Sequence, residues 1–130
     1  MQSPVSNEPM LVLELSGVEI DYCPLTHGIW LDGGELETLL NDPDAARQLI
    51  SSFRIDTDSR EKKIRCPICR KKMEKVLAGE KIVIDRCPAG HGLWFDEGEL
   101  RAVLKLQPEG DANKVINLLN DMFRNNKEKE

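Results

Sequence analysis

Apolar positions along the chain recur with two different periods, and each period predicts one kind of element. Residues 11–15 and 18–20, apolar runs on either side of a Ser-Gly turn, predict a β-hairpin. Residues 76–84, interrupted by an Ala-Gly-Glu turn, predict a second hairpin in the same way. Each hairpin leads into a Cys-Pro turn. The first nine residues, with Pro4 and Pro9, indicate a loose leader, and the polar residues 54–64 indicate a linker.

Helical spacing follows each hairpin. An Asp-x-Gly-Glu-Leu string, at residues 32–36 and again at 96–100, places an Asp N-cap before a Glu at the third helical position, as in a capping box. A longer amphipathic stripe then predicts a second helix in each half. The apolar positions are Leu36, Leu39, Leu40, Ala45, Ala46, Leu49, Ile50 and Phe53, then Leu100, Val103, Leu104, Val115, Ile116, Leu118, Leu119, Met122 and Phe123. We therefore predict an α+β fold of two modules, 1–58 and 59–130, each a hairpin and Cys-Pro turn followed by short helices.

The two modules carry a repeat. Residues 20–32 return 64 positions later as 84–96, and both copies contain a Cys-Pro turn and a tryptophan. Trp30 and Trp94 are predicted to be core residues that hydrogen-bond through the indole N–H. Only the second copy is preceded by a Cys-x-x-Cys pair; at the same offset the first copy has Gln2 and Val5. The first module is therefore expected to be a metal-free relic.

Four residues of the second module have the spacing of a zinc ribbon. Cys66 and Cys69 form one ligand pair. Seventeen residues separate Cys69 from Cys87, which forms the second pair with His91. Three thiolates and an imidazole complete a tetrahedron and leave no position for a reactive water, so we expect one structural Zn²⁺ per chain and no enzymatic activity. A redox dithiol is disfavoured because the pair precedes a hairpin and does not open a helix. Iron fits the histidine ligand less well.

Cys23 and His27 of the first module are left without upstream partners. One interpretation makes them remnants that hydrogen-bond or pack in their turn. A second is an inter-chain zinc site, in which two copies of the pair complete a tetrahedron and join a homodimer. A third, a Cys-His nucleophile, lacks an orienting group and an oxyanion hole in the sequence.

Charge divides the chain of 130 residues, whose net charge is −5. Residues 1–58 carry two basic and eleven acidic side chains, whereas residues 59–130 carry sixteen and twelve. Segment 60–75 could contact an acidic protein or phosphates, or it could only keep the module in solution and stabilise the thiolates. Its basic residues are Arg60, Lys62, Lys63, Arg65, Arg70, Lys71, Lys72 and Lys75. A pI near 5.1 and the lack of interleaved aromatics make nucleic acid the second choice after protein.

No apolar run is long enough to span a membrane, and no signal core follows the N-terminus, so we expect a cytoplasmic protein with reduced cysteines and no membrane partner.

Residues 66–104 resemble the zinc-ribbon family named for its likeness to the zinc finger of transcription factor IIB. Members carry Cys-Pro-x-Cys, a hairpin, then Cys-Pro-x-Cys-x-Gly-x-Trp-Leu-Asp-x-Gly-Glu-Leu, and residues 18–40 resemble the second half of that pattern. Gly90 stands where many members have a fourth Cys, which leaves His91 as the substitute. The resemblance implies zinc binding, and the family name suggests a role in transcription, but a fold alone does not fix a function.

Overall fold

The computed structural model describes residues 1–106 and 112–128, without the side chains of residue 112 and of residues 122–128. Its described strands form one antiparallel sheet with the order β1-β2-β3-β7-β6-β5-β4. The strands are β1 (Leu11–Leu15), β2 (Val18–Tyr22), β3 (Ile29–Asp32), β4 (Arg54–Ile55), β5 (Glu74–Ala78), β6 (Ile82–Arg86) and β7 (Gly92–Phe95). Both predicted hairpins are present, and each is followed by one more strand after its Cys-Pro turn.

The two halves join through their third strands. β3 pairs with β7, and Trp30 lies directly opposite Trp94 at the centre of the sheet. The first half also reaches into the second, because Arg54 and Ile55 of β4 pair with Leu77 and Val76 of β5. The start of the predicted linker is therefore an edge strand, which the polar composition of 54–64 concealed.

Within the described residues, four helices cover one face of the sheet: α1 (Glu35–Leu40), α2 (Pro43–Ser51), α3 (Glu99–Leu104) and α4 (Ala112–Glu128). The predicted helical stripes are confirmed as buried, except that Ile50 is partly buried and Leu118 is exposed. The side chains of Met122 and Phe123 lie outside the described residues. One core cluster contains residues from both halves, for example Leu36 with Leu100, so the halves share a hydrophobic core. No helix in the described part of the chain could cross a membrane.

Each Asp-x-Gly-Glu-Leu string fixes a tryptophan as well as starting a helix. The N-cap of α1 is Gly34, in the left-handed conformation at φ 93°, and no side chain caps it. The predicted Asp N-cap is therefore wrong: the Asp32 carboxylate lies 2.7 Å from the Trp30 indole N–H and accepts its hydrogen bond. Glu35 still accepts from the backbone N–H of Asp32, as a capping box requires. The second repeat is built in the same way around Trp94, whose predicted indole hydrogen bond is confirmed like that of Trp30.

Candidate metal centre

The face of the sheet opposite the helices carries two tight chain reversals, which we call knuckles: one at residues 65–72 and one at residues 2–9. The zinc knuckle, residues 65–72, is closed by a β-bridge between Arg65 and Lys72 and presents Cys66 and Cys69. Inside it, the backbone N–H of Arg70 donates to the carbonyl of Cys66. The turn between β6 and β7 presents Cys87 and His91 and brings them to the same place.

The four predicted ligands meet as a tetrahedral zinc site requires. Their ligand atoms all lie within 4.8 Å of one another. The Sγ atoms of Cys69 and Cys87 are 3.7 Å apart, and His91 Nδ1 lies 3.4 Å from Cys87 Sγ and 3.9 Å from Cys66 Sγ. A tetrahedron with Zn–S of about 2.3 Å and Zn–N of about 2.0 Å has edges of about 3.8 Å between sulfurs and about 3.5 Å between sulfur and nitrogen. Each of these three separations is within about 0.4 Å of the corresponding edge, so the residues fit zinc.

Burial and hydrogen bonding together give Cys66 and Cys87 different acidities before metal binds. For Cys66, burial and the neighbouring thiols of Cys87 and Cys69 raise the pKa to about 11. For Cys87, burial alone would raise the pKa, but backbone N–H groups of His91 and Ala89 donate to the sulfur and lower it to about 7. The thiol of Cys87 is therefore more acidic than that of Cys66. Zinc must displace the remaining protons, so its affinity depends on pH.

Four protein ligands close the coordination sphere. Cys66 is fully buried and Cys87 is 2% exposed, while Cys69 and His91 are partly covered. A zinc ion held in this way stabilises the fold and has no open position at which to activate water. The donor set therefore supports structural zinc.

Residues 2–9 form a second knuckle that matches the zinc knuckle in backbone detail. A β-bridge between Gln2 and Pro9 closes it, as the bridge from residue 65 to residue 72 closes the other. Asn7 has the positive φ of its counterpart Arg70, at 62° and 67°. The predicted loose leader is therefore an ordered loop in the structure.

This match has an offset of 63 residues, whereas the Cys-Pro turns are 64 apart. The difference arises in the hairpins, because two residues separate β1 from β2 and three separate β5 from β6. The assignment of Gln2 and Val5 to the positions of Cys66 and Cys69 is thus wrong by one residue. Ser3 and Ser6 occupy those positions.

Hydroxyl groups therefore surround Cys23 where the second half has thiols. Ser6 Oγ lies 3.5 Å from Cys23 Sγ, and both Ser3 and Cys23 are buried. Burial alone would raise the pKa of Cys23, but hydrogen bonds from Ser3, Thr26 and Ser6 lower it to about 7. Hydrogen bonds take the place of metal in this knuckle.

His27 lies beside the same knuckle but contacts a different group. Its Nδ1 is 2.6 Å from the Tyr22 hydroxyl. Because the N-terminal knuckle covers Cys23, an inter-chain zinc at Cys23 and His27 would require that knuckle to open. The inter-chain site and the nucleophile stay predictions, and the described contacts agree best with a hydrogen-bonded remnant.

The glycine before each tryptophan explains how the two ribbons fit together. A methyl group built on Gly92 would come within 2.6 Å of the Trp30 ring, and one built on Gly28 would overlap the Trp94 ring. Each tryptophan thus packs on the glycine of the other repeat. The Gly-x-Trp spacing is visible in the sequence, but its meaning depends on the pairing of β3 with β7.

Seven of the eight basic residues named from segment 60–75 are exposed, and we call these seven the basic rim: Arg60, Lys62, Lys63, Arg65, Arg70, Lys71 and Lys72. Lys75 is the exception. Its side chain is 7% exposed, and Nζ lies 2.6 Å from the Asp85 carboxylate on the neighbouring strand. Lys75 is therefore not available as a partner contact, contrary to the expectation from charge alone. Burial raises the pKa of the Asp85 carboxyl, and the Lys75 ammonium opposes this effect.

A hairpin between two ligand-bearing turns, duplicated in one sheet and with ligands kept in one copy, defines a tandem zinc ribbon. The sequence model of the transcription factor zinc-finger family matches residues 4–42 and 65–106, and the chain belongs to that family. Comparisons with curated proteins and with solved structures found no match.

Proposed function

We propose that the chain is a non-enzymatic protein-interaction module in which a structural zinc holds the zinc knuckle in shape and the basic rim binds an acidic surface of a partner protein. The carrying observation is the contrast between the two knuckles. Arg65, Arg70 and Lys71 of the zinc knuckle correspond to Gln2, Asn7 and Glu8 of the metal-free knuckle. The positive charge accompanies the metal site and not the backbone shape that the two knuckles share.

Part of that charge compensates the zinc centre, since three thiolates and one Zn²⁺ leave one net negative charge. Four rim residues lie on the zinc knuckle itself: Arg65, Arg70, Lys71 and Lys72. The rim also extends along the chain to Arg60, Lys62 and Lys63, and seven cations exceed what one negative charge needs. Such a surface steers and selects an acidic partner.

Nucleic acid is the alternative ligand of the rim. Single-strand binding modules stack bases on exposed aromatic rings. Among the described side chains, every tryptophan, tyrosine and phenylalanine is buried, and the chain carries a net charge of −5. These features favour protein over nucleic acid.

The test compares three forms of the protein: wild type, K71E/K72E, and K81E/K105E, which makes the same charge change at exposed positions outside the rim. Proteins cross-linked from extract of the producing cells should be recovered with wild type and the K81E/K105E control, and lost with K71E/K72E. Zinc content, measured on each form, should stay at one equivalent, because neither substitution removes a ligand.

An identical set of proteins recovered with all three forms would contradict the proposal. The same forms should be titrated with labelled single- and double-stranded oligonucleotides. Affinity that falls steeply with salt and disappears in K71E/K72E would identify the rim as a nucleic-acid site instead.

A further inference from the structure

The two ends of the sheet differ although the halves are related by repeat. At one end, β5 has β4 on its outer side. β1 is the counterpart of β5, and no strand among the described residues pairs with its outer side. An open strand edge offers unpaired backbone N–H and C=O groups to another chain. On this edge Leu11 is 51% and Val12 is 63% exposed.

One row of side chains across the sheet shows how the charges at its two ends differ. Across the sheet, on the face away from the helices, the row reads Val12, Asp21, Trp30, Trp94, Asp85 and Lys75. It is symmetric about the tryptophans except at its ends. Asp85 has Lys75 beside it, whereas Asp21 has Val12, which supplies no charge. Burial and the charges of Asp32 and Glu19 raise the pKa of Asp21, opposed in part by the amino group of Met1.

The neighbouring row adds to this negative charge. Glu14 lies directly opposite Glu19, and like charges in that position destabilise a strand pair. Both side chains are exposed, and no basic residue in the described part of the chain forms an ion pair with either. An incoming strand that carried cations would relieve the repulsion.

We propose that β1 accepts an extended basic peptide of a partner protein, which adds antiparallel to the edge of the sheet as β4 adds to β5. The internal precedent sets the pattern. Arg54 lies opposite Leu77, the counterpart of Glu14, and Ile55 lies opposite Val76, the counterpart of Leu13. The peptide therefore has a basic residue opposite Glu14, an apolar residue opposite Leu13, and a second basic residue opposite Val12. This last side chain reaches across Val12 towards Asp21.

A second copy of this chain fits the edge less well. Antiparallel pairing of β1 with itself would bring together two halves that each carry eleven acidic and two basic residues. The repulsion between them opposes association. The proposed peptide site also lies at the opposite end of the sheet from β4 and is independent of the basic rim, so each proposal can fail without the other.

The direct test uses zinc-loaded protein and a fluorescent peptide, Lys-Val-Arg-Ile-Lys-Val-Arg, measured by anisotropy. E14K/E19K should weaken binding about tenfold or more, because the cation opposite Glu14 would then face two lysines instead of two carboxylates. The matched control E37K/E97K, which makes the same charge change at exposed helix-side positions, should weaken it less than about twofold. A peptide with Glu in place of each Lys and Arg should not bind.

Backbone pairing is tested separately with two peptides that are N-methylated at alternate residues. Only one of the two sets of amides can face β1, so one methylated peptide should bind and the other should not. If both methylated peptides bound equally well, or if neither bound, strand addition would be overturned. Equal affinity of E14K/E19K and wild type would also overturn the proposal, as would a dimer in sedimentation that E14K/E19K strengthens.

Discussion

The metal-free knuckle should become a second zinc site when its two serines are replaced by cysteine. In the double substitution S3C/S6C, two sulfurs take the positions of hydroxyl groups that already face Cys23. His27 would be the fourth ligand. Its Nδ1 contacts the Tyr22 hydroxyl, so a triple substitution, S3C/S6C with Y22F, removes that competing group.

The structure indicates how much zinc S3C/S6C should bind. Ser6 Oγ is 3.5 Å from Cys23 Sγ, close to the 3.4 to 3.9 Å separations between ligand atoms of the zinc centre. The knuckle backbone needs little adjustment, because its bridge and its positive φ already match the zinc knuckle. Zinc content should rise from one to two equivalents per chain. Free zinc at about one hundred times the new dissociation constant would stabilise the fold by about 2.7 kcal/mol.

The assay is elemental analysis of anaerobically purified protein, with cobalt substitution to report tetrahedral thiolate ligation. The control is Q2C/V5C, the pair that a constant offset of 64 residues would select, and it should stay at one equivalent. If S3C/S6C, with or without Y22F, bound one equivalent while Q2C/V5C bound two, the register assigned to the N-terminal knuckle would be refuted.

Three further results are expected. Chelation should remove the amide protection of both halves together, because they share a core; hydrogen exchange that left the β1–β2 hairpin protected would show otherwise. G92A and G28A should each lower the free energy of unfolding by about 2 kcal/mol in denaturant titrations, while G17N, at a φ of 80° with open space, should lower it by less than about 1 kcal/mol, because Asn tolerates the left-handed conformation. Burial raises the pKa of Glu99 from 4.5 to about 7, with a further contribution from the charge of Asp96, so the folded chain holds its proton more tightly and stability falls as pH rises through that interval. The free energy of unfolding of E99Q should therefore exceed that of wild type by on the order of 1 kcal/mol at pH 7.5 and equal it at pH 4. An equal difference at the two pH values would contradict the predicted pH dependence.

The zinc ligands could be predicted from the sequence because their chemistry is local. Two cysteines in a tight turn and a Cys-x-x-x-His turn each fix their own geometry, and the hairpin between them fixes the distance. The metal-free knuckle could not be read in the same way, because one extra residue in the β5–β6 turn shifts every upstream alignment by one. The signals available in the sequence are a Ser-x-x-Ser pair at 3–6 and a methionine at both 10 and 73.

Long-range pairing accounts for what the sequence did not reveal. Burial of Lys75 depends on its partner Asp85 across the strand pair, and no count of charges along segment 60–75 separates it from its exposed neighbours. The role of Gly28 and Gly92 depends on β3 lying against β7. The sequence predicts the Asp residues of the helix strings as caps, because it does not show the direction of the competing indole donor two residues upstream.

The repeat and the single connection between its halves also explain why the two ends of the sheet are unequal. Pairing of β3 with β7 removes the inner edge of each ribbon, so the outer strands β1 and β5 are left as the two edges. The connection between the halves can lie along only one of them, and it runs beside β5 as β4. On β5, Lys75 is buried and compensates Asp85 of β6. No strand among the described residues covers β1, which carries valine where β5 carries lysine, so Asp21 has no lysine beside it at the proposed peptide site.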